Sequence, residues 1–459
     1  MLATGTLLGA ALLVWAGTCV LRPVPLQDAA SRIQRLRTRQ ITLRLFDAEG
    51  RPLRNTPVTA RMTRHQFLFG ANLYMFERFD TPERNARYLE LFAGLLNYAT
   101  LPFYLGYYQP ERGRTRADEI EAQVSWARSR GIELKGHPLV WHFPTIIPEW
   151  LPDDPAQVEA LHRRRVEEIV ERFRGRIRLW DVVNEPTTTW LYDNPIARWE
   201  REAGPVEVTR AALDWAAGAD PNAVLLVNDF NLDPFPWGML GLLQPRRALA
   251  LLFAPVRHHF LSYADFLADL DARGGRFQAV GLQSHMHGGR WPLTLVWRAC
   301  ERYAELGRPL HWTELTVLSG DEKLYIRPDD PDWKPEWPST DEGEARQADY
   351  AEKLYTLLFS HPAVQAITWW DLSDRSAWMG APAGLVRADL TPKPAYQRLR
   401  RLIRERWWTE VSGETDLGGR FAFRGFCGDY VLEGAGAVRP FSLDCSEPDG
   451  AGVDLRRAH

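Results

Sequence analysis

IRLWDVVNEP, residues 177–186, is an apolar run that closes on Asn184 and Glu185, and PLHWTELTV, residues 309–317, is a second that closes on Glu314. Neither glutamate has a basic neighbour in sequence. One glutamate at such a point is ordinarily a solvated loop residue. Two that converge are a reagent. Held about 5–5.5 Å apart across a sugar ring, one carboxylate attacks the anomeric carbon, while the other protonates the leaving oxygen and then activates water. Ionising one also raises the proton affinity of the other.

Two such groups meet only if the fold brings distant runs to one place. Eight short apolar runs alternate with amphipathic stretches between residues 67 and 406: FLFGANL, LLNYATL, IELKGHPLVW, IRLWDVVNE, AVLLVNDF, FQAVGLQSH, PLHWTELTV and VQAITWWDL. Between them Val158, Leu161, Val166, Ile169 and Phe173 recur near helical spacing, with Asp154-Pro155 as a start and Gly175 as a stop. STDE at 339–342 reads as a capping box opening another helix. Repeated strand–helix units predict an α/β protein, a (β/α)8 barrel of parallel strands ringed by helices. A doubly wound open sheet is the alternative, weakened because no early strand leads into a glycine-rich phosphate loop.

The polar residues gather at the C-terminal ends of the runs. His137, Trp141 and His142 close the third, Asn228 and Asp229 the fifth, Gln283, His285 and His287 the sixth, and Trp370, Asp371 and Asp374 follow the eighth. In a parallel barrel those ends face one mouth.

The chain has 459 residues, 45% hydrophobic and 25% charged, with a formal net charge of -3. That balance is globular and argues against a nucleic-acid partner, which needs a basic face. The 19 Trp call for large cores or a groove with flat aromatic walls. Residues 2–21 are uncharged and fit a cleaved export leader or a membrane anchor, so 1–26 is set apart as one or the other. The expected location is secreted, periplasmic or anchored facing outside the cytoplasm, with no other membrane contact. Export permits a bridge between Cys427 and Cys445, while Cys300 reads as a buried free thiol. Residues 40–66 and 407–459 carry strand and turn signals, each too few for a sheet alone, and are expected to pair into one accessory β module. SHMH and VRHHF hold close histidines, yet no HExxH or CxxC motif accompanies them, so no metal is assigned. No GxSxG elbow occurs, which sets aside a serine hydrolase.

At these residues the sequence resembles glycoside hydrolase family 10, the endo-β-1,4-xylanase family. GHPLVWH resembles its third-strand motif, with Pro138 where a Thr is common; WDVVNEP the acid/base motif; VGLQSHMH the sixth-strand motif; WTEL the nucleophile motif; and ITWWDLSDRSAW the eighth-strand motif. The resemblance runs over roughly residues 67–405, with five motifs in order. It implies a monomeric retaining hydrolase of β-1,4-linked polysaccharide, xylan-type by default, with no cofactor. Glu185 would be the general acid/base and Glu314 the nucleophile. Asn184 would hold the sugar 2-OH, Gln283 and His285 would orient nucleophile and sugar, and His137, Trp141, Trp370 and Trp378 would line the pocket. Trp369 is open between pocket and core.

Two departures stand out. Pro102, Phe103 and Gly106 occupy the places of a family Glu, Asn and Lys that hold sugars on the non-reducing side, and apolar Phe103 and Tyr104 are expected not to replace those hydrogen bonds. Thr316 stands where an Asp commonly supports the histidine, which predicts an altered pH profile. Another glycanase of the same clan, a binding protein that has lost catalysis, and a transglycosylase with Trp333 and Trp337 walling the acceptor side are the competing readings.

Overall fold

The computed structural model describes residues 26–233, 262–321 and 337–455. The apolar leader, the VRHHF histidines and Trp333 lie outside the described residues.

Two strands precede the barrel, β1 (Thr38–Leu45) and β2 (Pro57–His65). The eight apolar runs then form β3 (Leu68–Asn72), β4 (Tyr98–Pro102), β5 (Glu133–His137), β6 (Leu179–Asn184), β7 (Val224–Asp229), β8 (Ala279–Met286), β9 (Leu310–Val317) and β10 (Val364–Trp369). They close in the order β10-β3-β4-β5-β6-β7-β8-β9, every pair parallel. The runs are continuous rather than alternating because both faces of such strands are covered, outside by helices and inside by their own side chains. Leu68, Tyr98, Leu179, Leu226, Ala279 and Ala366 form a separate apolar cluster, a layer given by several strands near their starts. Above it, glycine makes room for function. A Cβ on Gly281 would lie 2.4 Å from Asn228 Oδ1, so only glycine lets that amide stand in the barrel interior.

The helix Pro155–Arg172 starts as its sequence indicates, with Asp154 accepting from Gln157 N. It buries Val158, Val166, Ile169 and Val170, and also Arg165. The Arg165 guanidinium donates to the carbonyls of Phe103 and Leu139, tying the loops that follow β4 and β5 to this helix. The helix Asp341–Phe359 starts one residue later than the capping-box reading: Thr340 is the cap and accepts from Gly343 N. Residue three after this cap is glycine, so no carboxylate returns the bond. Glu344 instead pairs with Arg387.

Beyond the barrel lie β11 (Glu410–Glu414), β12 (Arg420–Phe426), β13 (Gly428–Gly434), β14 (Ala437–Leu443) and β15 (Ala451–Leu455). Both chain ends contribute, but to two sheets rather than one: β12-β1-β15 and β11-β2-β13-β14. Phe423 of the first sheet meets Tyr430 and Phe441 of the second, with ring centroids 6.0 and 6.3 Å apart. Two small sheets thus share one aromatic filling, which neither could bury alone. Cys427 and Cys445 are bridged, and Cys300 is free and buried. A helix not anticipated from sequence, Ala29–Arg37, leads into β1. Its Arg37 donates to the carbonyls of Phe359, His361 and Val364, the last being the first residue of β10. The module therefore sits at the N-terminal, closed end of the barrel.

Removing residues 407–459 takes both partners from β1 and both from β2. Hydrogen exchange across 38–65 is expected to rise to that of an unpaired segment. Exchange unchanged from the full chain would refute the pairing.

Candidate active site

Glu185 follows β6 directly and has left-handed backbone, φ 59° and ψ 42°. A non-glycine residue there costs on the order of 1–3 kcal/mol, so the surroundings must hold it. They do. Glu185 N donates to Asn228 O at 2.7 Å. Two residues on, Thr187 donates through N and Oγ1 to Asp229 Oδ2, at 3.1 and 2.8 Å. Pro186 then opens a short helical turn, Pro186–Leu191. The kink turns the carboxylate out of the strand and into the mouth.

Glu314 does not close its strand, as the sequence reading had it. It lies inside β9, which continues to Val317. The register between β8 and β9 shifts between Leu282 and Gln283, which sets Gln283 opposite Glu314. Such an irregularity re-aims a side chain without ending the strand. The side chain thereby faces the mouth from within regular pairing.

The two carboxylates are joined through amides. Gln283 Nε2 donates to Glu185 Oε1 and to Asn184 Oδ1, both at 3.1 Å. Asn184 Nδ2 donates to Glu185 Oε1 at 3.2 Å. Asn228 Nδ2 donates to Asn184 Oδ1 at 2.8 Å and to Glu314 Oε1 at 2.6 Å. On the other oxygen, His285 Nε2 lies 3.0 Å from Glu314 Oε2. A carboxylate only accepts, so this nitrogen carries the proton. His285 Nδ1 then accepts from Thr316 Oγ1 at 2.7 Å. Burial pushes His285 down to about 3, which keeps it neutral. Thr316 thus supports the histidine as a neutral hydroxyl donor.

Below the mouth, Lys135 and His137 share one carboxylate. Asp181 Oδ2 is 2.6 Å from Lys135 Nζ and 2.7 Å from His137 Nδ1. His137 Nε2 is 3.8 Å from Glu314 Oε1. Burial raises the Glu314 pKa, while His137 and Lys135 pull it back. Among the described residues no lysine or arginine is paired with Glu185. Burial first, then Asp229 and Glu314, push it up to about 8. Its surroundings include His142, whose Nδ1 is 2.7 Å from Glu200 Oε2 and whose Nε2 is 3.2 Å from Thr188 Oγ1. Burial opposes the charged imidazole, but Glu200 outweighs it and raises the His142 pKa. The two glutamates are 7% and 4% exposed, and burial raises the pKa of both, opposed at Glu314 by His137 and Lys135.

Aromatic rings enclose the pair. Trp370 contacts His137 and His285, with centroids 5.3 and 5.9 Å apart. Trp378 packs on His285 at 4.4 Å. Trp141 packs beside Tyr104 at 5.6 Å. Every residue singled out for the site therefore lies in one network: Glu185, Glu314, Asn184, Gln283, His285, His137, Trp141, Trp370 and Trp378. Trp369 belongs to the core, with Nε1 donating to Ala383 O at 2.8 Å. The end of the second barrel strand differs from the sequence expectation. Phe103 is fully buried against Tyr108, Phe173 and Trp180, away from the mouth. Tyr104 faces the mouth and does hydrogen-bond, its hydroxyl 3.1 Å from that of Tyr74. Sequence reasoning passed over Tyr74, Asn72, Lys135 and Asp181. The signal was present for the last two: a lysine and an aspartate inside IELKGH and LWDVV, runs otherwise apolar. Among the described residues, no three His, Cys, Asp or Glu side chains are placed to hold a metal ion.

A parallel barrel whose mouth holds two buried, amide-linked carboxylates among indole rings has the build of a glycoside hydrolase. The sequence model of glycosyl hydrolase family 10 matches residues 103–237 and 257–402. The chain belongs to that family. It is 28% identical over 310 residues to endo-1,4-beta-xylanase B of Thermotoga neapolitana, covering 65% of this chain and 77% of that protein. It is 26% identical over 410 residues to anti-sigma-I factor RsgI6 of Acetivibrio thermocellus, covering 89% of this chain and 46% of that protein. The chain thus spans about half the length of that relative. Xylanase 10B of Thermotoga petrophila, solved with xylobiose, shares the fold with a TM-score of 0.56 at 23% identity, covering 74% of this chain and 95% of that one.

Proposed function

We propose that the protein cleaves β-1,4-linked polysaccharide, xylan-type by default, by double displacement with retention. Glu314 attacks the anomeric carbon. Glu185 protonates the glycosidic oxygen, then takes a proton from the water that releases the sugar. Asn184, fixed by Gln283 and Asn228, meets the 2-OH. His285 and Asn228 each hold one oxygen of Glu314 for attack. The observation that carries this reading is the unbroken hydrogen-bond path from Glu185 through Gln283, Asn184 and Asn228 to Glu314. A protein that only bound sugar would gain nothing from two like charges buried together. The xylanase relatives support xylan as substrate. The Cys427–Cys445 bridge supports a site of action outside the cytoplasm.

The experiment is a screen against xylan, substituted xylans, β-glucans and mannans, with the product anomer read early by NMR. Xylan is expected to be cut with the β-anomer formed first. First appearance of the α-anomer would remove the nucleophile from Glu314. Cleavage of glucan or mannan but not xylan would favour the clan alternative.

A further inference from the structure

One carboxylate at the mouth has no part in the chemistry described so far. Asp371 follows the platform residue Trp370 and is half-buried, not sealed. Asn72 Nδ2 donates to its Oδ1 at 2.9 Å, and Trp378 N donates to its Oδ2 at 2.9 Å. Each carboxylate oxygen has two lone-pair sites, so each retains one after these bonds. Its aspartate neighbour, Asp374, is neutralised by Lys393, 2.7 Å away. Among the described residues no cation is paired with Asp371 itself, and burial pushes it up to about 6.

The surroundings give the side of the site. C1 of the sugar under attack must face Glu314, and the leaving sugar must lie toward Glu185. Trp370, Tyr74 and Tyr104 are tied by ring contacts to His137, Trp141 and to one another. They come from the ends of β10, β3 and β4; β10 stands opposite β6 and Glu185 in the eight-strand ring, with β3 and β4 following it on the arc that leads back to β6. This is the side that holds the sugar being attacked and the unit joined to its non-reducing end. The end of β4 offers no charged or amide group there, only Tyr104, whose hydroxyl is 3.1 Å from that of Tyr74.

We propose that Asp371 is a specificity-determining residue: its carboxylate accepts neighbouring hydroxyls of the neutral sugar unit attached to the one under attack, and the Tyr74–Tyr104 hydroxyl pair forms the facing edge. This deepens the reading of a β-1,4-glycan hydrolase and rests on it. Asn72 and the Trp378 amide hold the carboxylate in place, so the grip lost from β4 is rebuilt from β10 and β3. Hydrogen bonds from hydroxyls to a fixed carboxylate are among the stronger ones. The site takes a vicinal diol and repels an acidic substituent at the same unit.

The test compares two chromogenic substrates, an aryl β-xyloside and an aryl β-xylobioside, which differ only in that second unit. For Asp371→Asn, the ratio of kcat/KM on xylobioside to that on xyloside is expected to fall about tenfold or more, mainly through KM. Tyr104→Phe, which keeps the ring packing, is expected to lower the same ratio by about threefold, and it serves if the Asn variant does not fold. If Asp371 only shapes the turn that carries Trp378, both substrates lose equally and the ratio stays put; that result, or no loss on either, overturns the assignment. A wild-type protein that cleaves neither glycoside nor any polysaccharide of the screen overturns the hydrolase reading itself.

Discussion

Glu314→Ala is expected to lower xylan cleavage on the order of 10⁴-fold or more while leaving the melting temperature near that of the wild type. The loss is large because no other group can form the covalent bond. Glu314 lies opposite Gln283, and the other carboxylates described around it have other tasks: Glu185 carries the proton, Asp181 is paired with Lys135 and His137, and Asp371 is held in place by Asn72 and Trp378 N. Stability is spared because the variant removes a buried charge together with its desolvation cost, although Asn228 and His285 lose a partner. Azide should fit the space vacated and restore turnover on a substrate with a good leaving group, giving a glycosyl azide of inverted configuration. Wild-type rates in this variant would end the nucleophile assignment. Rescue with retained configuration would do the same.

Glu185→Gln should change two things at once. Without a proton donor, cleavage of the natural polymer is expected to fall about 10²–10⁴-fold, whereas aryl glycosides that leave without help keep a fast first step. Wild-type activity should fade as pH rises through about 8, where Glu185 ionises, and that alkaline limb should vanish in the variant. Stability follows the same ionisation. The folded carboxyl titrates at about 8 against an ordinary 4.5. Between those values the folded protein holds a proton the unfolded chain has released, so stability declines as pH rises across that window. Glutamine removes the penalty. The variant is expected to be more stable than wild type by on the order of 2–4 kcal/mol at pH 9, with little difference at pH 4. Calorimetric melting at both pH values checks it. Parallel melting curves for the two proteins at both pH values would show that Glu185 is not held protonated by its surroundings.

The eight barrel strands were legible because a strand covered on both faces must be apolar throughout, and runs such as AVLLVNDF announce that directly. Placing the polar residues at one mouth followed from parallel order alone. What sequence could not carry was aim. A carboxylate inside a strand looks out of place, so sequence alone puts Glu314 at a strand end, and only the register shift beside Gln283 shows how it points inward. Phe103 and Tyr104 are adjacent in sequence yet serve opposite sides, one in the core behind the barrel and the other at the mouth, a division set by the turn after Pro102. Lys135 and Asp181 were visible as charges in apolar runs, but their pairing across β5 and β6 is a tertiary fact. The terminal strands were recognised by alternation. Their sorting into two sheets depends on which edges β1 and β2 leave open, and no local pattern states that.

The floor of the barrel bears on how this protein can be mounted. The helix Ala29–Arg37 is clasped to the start of β10, and β15 runs beside β1 in the same small sheet. Both terminal elements among the described residues thus lie at the blunt end. An anchoring surface or fused partner held there would point the cleft outward, letting a long, stiff polymer lie across it without meeting whatever holds the protein in place.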